Sequence, residues 1–129
     1  MSINVSVRID EELAERLRLY AAAAGETISQ RLRRYAEEGS RLEEHPFIVF
    51  RDGPTGRRAG LVGGPDVWEV AMWLDDLSGE KNSIGVLAAE TGISRSHIEA
   101  VVRYRAAYSE EIEAHIALHR RMTQAVLQV

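Results

Sequence analysis

Glu111, His115 and His119 stand four residues apart, a spacing that lines three zinc-type ligands along one face of a helix. One helix rarely completes a metal site, and beyond these residues the chain offers only His45 and His97, with no cysteine. A solvated helical face is therefore the expected reading, with no metal and no cofactor. Arg57 and Arg58 lie among Gly53, Gly56, Gly60, Gly63 and Gly64, but the spacing follows neither phosphate-binding glycine fingerprint and contains no lysine. With Arg51 they suit either a wing that meets phosphate oxygens or a solvated hairpin tip. The paired carboxylates Glu11-Glu12, Glu37-Glu38 and Asp75-Asp76 fall on helix faces expected to be exposed. There is no cysteine nucleophile and no Gly-x-Ser-x-Gly elbow, so catalysis is not expected. Two polar triplets remain, Asn4, Ser6 and Arg8 in alternation and Arg95, Ser96 and His97 in succession.

The elements that must position these residues follow from periodicity. Asn4-Val5-Ser6-Val7-Arg8-Ile9 alternates, so a strand here turns Val5, Val7 and Ile9 to one face and Asn4, Ser6 and Arg8 to the other. Asp10 offers an N-cap carboxylate to a helix carrying Leu13, Leu17, Tyr20, Ala21 and Ala24, with Gly25 placed to end it. Thr27 and Gln30 form a capping box for a second helix with Ile28, Leu32, Tyr35 and Ala36 on one side and Gly39 as its stop. No second strand lies nearby. A lone strand leaves its N–H and C=O groups open, and these short apolar stripes are too small to close a core. Antiparallel pairing with a second copy answers both needs, and a homodimer is expected.

The segment from Ile3 to Gly39 resembles the ribbon-helix-helix family of bacterial DNA-binding proteins, which includes many antitoxins and plasmid repressors. The resemblance rests on Val5-Ser6-Val7-Arg8-Ile9-Asp10, the helix from Glu11 to Ala24 and the turn Gly25-Glu26-Thr27. It implies that the paired strands enter the major groove and that Asn4, Ser6 and Arg8 touch base edges. Arginine forks onto guanine, asparagine onto adenine, and serine is permissive. It also implies a phosphate held by the backbone N–H groups of Thr27, Ile28 and Ser29 at the start of the second helix. The plainer reading is a dimerisation ribbon with a solvated outer face.

After Arg41-Leu42-Glu43-Glu44 the character changes. His45 to Phe50 reads as a strand, Asp52-Gly53-Pro54-Thr55-Gly56 as a turn and Arg57 to Val62 as the returning strand. Pro65 is expected in the first turn of a helix through Val67, Trp68, Val70, Ala71, Trp73 and Leu74, with both tryptophans in a core or interface. In residues 82–107, Ile84, Leu87 and Ala88 precede the turn Thr91-Gly92-Ile93-Ser94, and Ile98, Val101 and Val102 follow it. A small residue where helices cross, a turn glycine and buried branched residues resemble the helix-turn-helix pattern. The exposed start of its second helix would present Arg95, Ser96 and His97, with Glu99 beside them. His45 to Gly53, Asp66-Val67-Trp68-Glu69-Val70 and the Ala88 to Val101 unit together resemble a winged helix-turn-helix family of VapB-type antitoxins. That family pairs with PIN-like ribonuclease toxins. Its commoner form carries Gly-Thr-Arg after the hairpin turn, where this chain has Arg58-Ala59-Gly60.

The 129 residues carry a net charge of −4, which runs against phosphate contact driven by clustered cations. Positions 1–41 hold seven basic and seven acidic residues, so local geometry decides the field there. Ser109 to Val129 reads as one helix capped by Ser109, with an apolar stripe of Ile112, Ile116, Met122 and Val126 that packs on its own module, on a dimer mate or in a toxin groove. No run reaches the length of a membrane span, and a cytoplasmic protein is expected. The expected architecture is mainly α with short β. A ribbon-helix-helix module (1–41) is followed by a winged helix-turn-helix module (45–108) and a long terminal helix (109–129). The implied function is an antitoxin that binds a palindromic operator, represses its own operon and neutralises a PIN-like toxin. The alternatives are a stand-alone dimeric repressor and a protein-interaction adaptor that does not read DNA.

Overall fold

In the computed structural model, which describes residues 1–128, the Asp10 carboxylate accepts the Leu13 N–H at 2.8 Å and opens α1 (Glu11–Ala23). Gly25, at φ 67°, ends it. The Gly25 N–H donates to Ala22 C=O at 3.1 Å and the Glu26 N–H to Ala21 C=O at 2.8 Å, the pair of bonds that satisfies a helix's last carbonyls when the next residue is left-handed. Thr27 and Gln30 then cap reciprocally. Gln30 Oε1 accepts the Thr27 N–H at 2.8 Å, and Thr27 Oγ1 accepts the Gln30 N–H at 3.1 Å. The helix they open, α2 (Ile28–Glu44), does not stop at Gly39 as expected. Gly39 sits in open space with ordinary helical φ, and Arg41 bonds Glu37 across it at 2.9 Å. The helix ends instead before His45-Pro46, where the proline ring disfavours helical backbone in the residue ahead of it.

The chain divides into two compact units, Met1–Arg41 and Leu42–Val129, of which Val129 itself, the end of the expected terminal helix, lies outside the described residues. In the first unit Leu17 and Ala21 are buried, Leu13, Ile28 and Leu32 half-buried, and Tyr20, Ala24, Tyr35 and Ala36 exposed. Its third buried side chain is Arg31, at 7% exposure. Arg31 Nη2 donates to the Tyr20 carbonyl at 3.2 Å, and Nε lies 3.1 Å from Glu26. Residues 1–10 form no strand within the chain.

The second unit opens with a hairpin, β1 (Ile48–Arg51) and β2 (Arg58–Leu61), paired antiparallel as Ile48↔Leu61, Val49↔Gly60, Phe50↔Ala59 and Arg51↔Arg58. Gly53 and Gly56 exchange backbone bonds of 3.0 and 2.9 Å to close the turn. Pro65 does not start the following helix as expected. Asp66 is the N-cap of α3 (Val67–Asp76) and forms a capping box with Glu69, so the short polar side chain takes the position that needs an acceptor. Next come α4 (Ser83–Thr91), α5 (Arg95–Ala107) and α6 (Ser109–Leu127). Gly92 caps α4 in the left-handed conformation at φ 77°, and Ser94 Oγ caps α5 by accepting the His97 N–H at 3.2 Å. Ser109 is not the cap of α6. Tyr108 holds that place without a side-chain bond.

One core joins the hairpin to all four of these helices. It contains Ile48, Ala59, Leu61, Val67, Val70, Ala71, Leu87, Ile98, Val101, Tyr104, Ile112 and Ile116, with Trp68, Trp73, Ala88 and Ile93 packed against it. Val102, expected on the buried side of α5, faces out. Along α6 the apolar stripe outruns the core, so that Met122, Val126 and Leu127 are exposed. No helix among the described residues is long and apolar enough to cross a membrane.

Candidate nucleic-acid interface

In the first unit Asn4, Ser6 and Arg8 are exposed, as are Val5 and Val7 on the opposite parity, at 76% and 72%. No intrachain partner fixes which face of this segment is outward. The expected phosphate clamp changes in detail. The Thr27 N–H is taken by Gln30, which leaves the N–H groups of Ile28 and Ser29, the first two helical residues, without an acceptor inside the helix. Glu26 stands beside them and binds both Arg31 and Arg34, at 3.1 and 3.3 Å. An anion at this helix start would meet two oriented donors and a carboxylate already neutralised by two guanidinium groups.

In the second unit the Ser94 cap places Arg95, Ser96 and His97 in the first turn of α5. Arg95 and Ser96 are exposed and His97 is half-buried. Arg95 is partly engaged, since Nη1 donates to Asn82 Oδ1 at 3.3 Å and Nε lies 3.9 Å from Glu99. Both contacts are exposed and worth little against a phosphate or a base edge. The His97 ring lies against Phe47, with centroids 4.5 Å apart. Beside it a groove of about 570 Å³ separates the α4–α5 turn from the chain after β2, lined by Val62, Gly64, Pro65, Trp73, Gly92 and His97 among others.

Of the three arginines that suit a wing or a solvated hairpin tip, Arg51 and Arg58 turn onto Asp66. Asp66 is 6% exposed and gathers three donors. Arg51 Nη2 reaches its Oδ1 at 3.1 Å, Trp68 Nε1 its Oδ2 at 3.2 Å, and Arg58 Nε the same oxygen more closely. Arg51 Nη1 also donates to the Gly64 carbonyl at 2.9 Å. A Cβ at Gly60 or Gly53 would fall on the guanidinium of Arg51 or Arg58, so the side chain in place would have to shift. Arg57 pairs with Asp52 at 3.4 Å. The open end of the hairpin is the part that borders α5. Its tip lies about 13 Å further along the strands.

The remaining candidates also take structural partners. His115 and His119 face Trp68, with ring centroids 6.5 and 5.1 Å away, and Glu111 accepts the buried Tyr104 hydroxyl at 3.2 Å. No three potential ligands converge on a metal position among the described residues. Arg105 forks onto Asp75 at 2.7 and 2.9 Å and binds Glu113 at 2.8 Å. That hydrogen-bonded fork, aided by the charges of Arg105 and Arg120 and opposed by burial, holds the Asp75 carboxyl below its usual range. Two residues central to this geometry were missed from sequence. Asp66 carried a readable sign, the Asp-x-x-Glu spacing of a capping box ahead of an apolar run, and Phe47 carried another, a proline just before it. Comparison with family models, with curated proteins and with solved structures returns no match.

Proposed function

We propose that this chain is a homodimeric DNA-binding antitoxin that represses its own operon and neutralises a PIN-like ribonuclease toxin. The observation that carries the reading is the state of the first unit. Both of its helices are capped at their N-termini and α1 at its C-terminus as well, yet the alternating segment ahead of them has no partner among the described residues and exposes Ile3, Val5 and Val7. A second copy supplies the missing strand, and the two-fold ribbon then offers Asn4, Ser6 and Arg8 to the major groove of a palindromic operator. Arg95, Ser96 and His97 supply a second reading surface. The overhanging end of α6, with Met122, Val126 and Leu127 exposed and no acidic residue after Glu113, suits an apolar groove of acidic rim on the toxin. Toxin bridging of two such dimers on one operator would raise affinity by avidity alone.

Fluorescence anisotropy against the upstream DNA and a scrambled duplex, at two salt concentrations, tests the DNA half. Arg8→Ala is expected to abolish the preference while leaving the dimer intact. Equal, weak binding to both duplexes by the parent protein refutes it. Co-purification with the product of the neighbouring gene, lost in Met122→Asp, tests the toxin half and separates an antitoxin from a stand-alone repressor. A protein-interaction adaptor is favoured by a different observation, the net charge of −4 combined with the commitment of Arg51 and Arg58 to Asp66. A failure to bind any duplex at either salt concentration would select it.

A further inference from the structure

Phe47 is the one non-glycine residue with positive φ among the described residues, at 75°. It follows Pro46, and the Ile48 N–H donates back to the His45 carbonyl at 3.4 Å. These are the marks of a type II turn, with proline at the second position and the left-handed third position that glycine favours. A bulky side chain there is strained. Burial offsets the strain only in part, since Phe47 is 41% exposed. Its carbonyl accepts the Val62 N–H at 2.9 Å, a bond that glycine would make equally well. What glycine could not supply is the ring, and the ring lies on His97 at the start of α5, beside Arg95 and Ser96.

From this we infer that Phe47 is a specificity-determining residue that packs its ring on the C5-methyl group of a thymine, next to the base pair met by His97. The inference rests on the reading of α5 as a helix that enters a major groove. In that groove three hydrogen-bonding side chains distinguish polar base edges, and the thymine methyl is the one feature that an apolar contact reads. An exposed aromatic ring held rigid beside the readers supplies that contact at little entropic cost, because the turn has already fixed its backbone.

The test uses the full-length protein. A preferred duplex is selected from a random pool, and its thymines are replaced one at a time by deoxyuridine, which removes only the methyl group. The parent protein is expected to lose affinity about fourfold at one thymine, the factor that follows from burying one methyl group. Phe47→Gly should bind the parent duplex and that substituted duplex equally, and Phe47→Leu should keep part of the discrimination. Because glycine relieves the turn, the thermal midpoint of Phe47→Gly should equal or exceed that of the parent. Three results overturn the proposal: identical deoxyuridine profiles in parent and Phe47→Gly, no deoxyuridine sensitivity in the parent, or a lowered midpoint with unchanged binding. Selection of no duplex by the parent removes the DNA reading and this inference with it, whereas the first three outcomes leave that reading standing.

Discussion

Within Leu42–Val129 the side chains of Ile48, Leu61, Val67, Val70, Ile98, Val101 and Tyr104 are withdrawn from solvent, whereas the buried apolar residues of Met1–Arg41 are Leu17 and Ala21. The contrast is not one of local order. The helices of the first unit are capped through Asp10, Gly25, Thr27 and Gln30. What the first unit lacks is long-range burial, and about forty residues cannot supply it alone. Capping and core formation are separate achievements. A segment that has the first without the second fits the proposal of a partner copy.

The sharpest way to break that comparison is Val7→Asp. In an isolated chain a substitution at so exposed a site changes stability by less than about 0.5 kcal/mol. With the ribbon paired, a buried charge is expected to abolish the dimer, as read by sedimentation velocity, and an unchanged dimer would show that the first unit finds its partner elsewhere. Next in size is Asp66→Ala, which strips Arg51, Arg58 and Trp68 of their common acceptor. Denaturant melts should show a loss of about 3 kcal/mol, the lower end for a broken buried pair because both guanidinium groups keep some contact with water. The loss should fall on the second unit and leave dimerisation untouched. Gly39→Ala acts in the opposite direction. Its Cβ meets open space, so α2 should gain about 0.8 kcal/mol, seen as added helicity and a raised midpoint.

The smallest expected effect is one of pH. Asp75 ionises below its ordinary value of 3.8 because Arg105 hydrogen-bonds the charged form. A carboxyl depressed on folding contributes stability that is whole above its unfolded value and is lost as pH falls through the folded one. Thermal melts taken downward from neutral pH should therefore lose part of their acid limb in Asp75→Asn, which starts from a lower midpoint. Solvent screening of this half-exposed pair keeps the change slight. Equal slopes in both proteins would show that other carboxylates carry the acid response.

Features set by neighbours in sequence were legible from it. The caps at Asp10 and Thr27, the turn at Gly92 and the hairpin around Gly53 and Gly56 all appear where residue type and spacing place them. Gly39 was misread because a glycine that merely permits a left-handed residue looks the same as one that requires it. The inward bonds of Arg51 and Arg58 were not legible because their acceptor arrives 15 and 8 residues later, and a guanidinium at the end of a strand gives no local sign of pointing inward. Val102 failed for a related reason. With Val101 already buried, its neighbour stands about 100° around the helix and faces water. Of the nine residues proposed to meet DNA, seven are exposed and Ile28 and His97 are half-buried, but the ring that covers His97 depends on a backbone conformation that phenylalanine rarely adopts.

The clasp of Arg51 and Arg58 on Asp66 also has a kinetic consequence. It closes loops of only 15 and 8 residues, while Ile112 and Ile116 of α6 reach the core formed by Val67 and Val70 from far along the chain. Short loops cost less entropy to close and form sooner. The corner between hairpin and α3 would then be assembled in the folding transition state, with α6 docking afterwards. Asp66→Asn should slow refolding, whereas Ile116→Val should mainly speed unfolding. The reverse pattern in a chevron plot would put the nucleus at the other end of the unit.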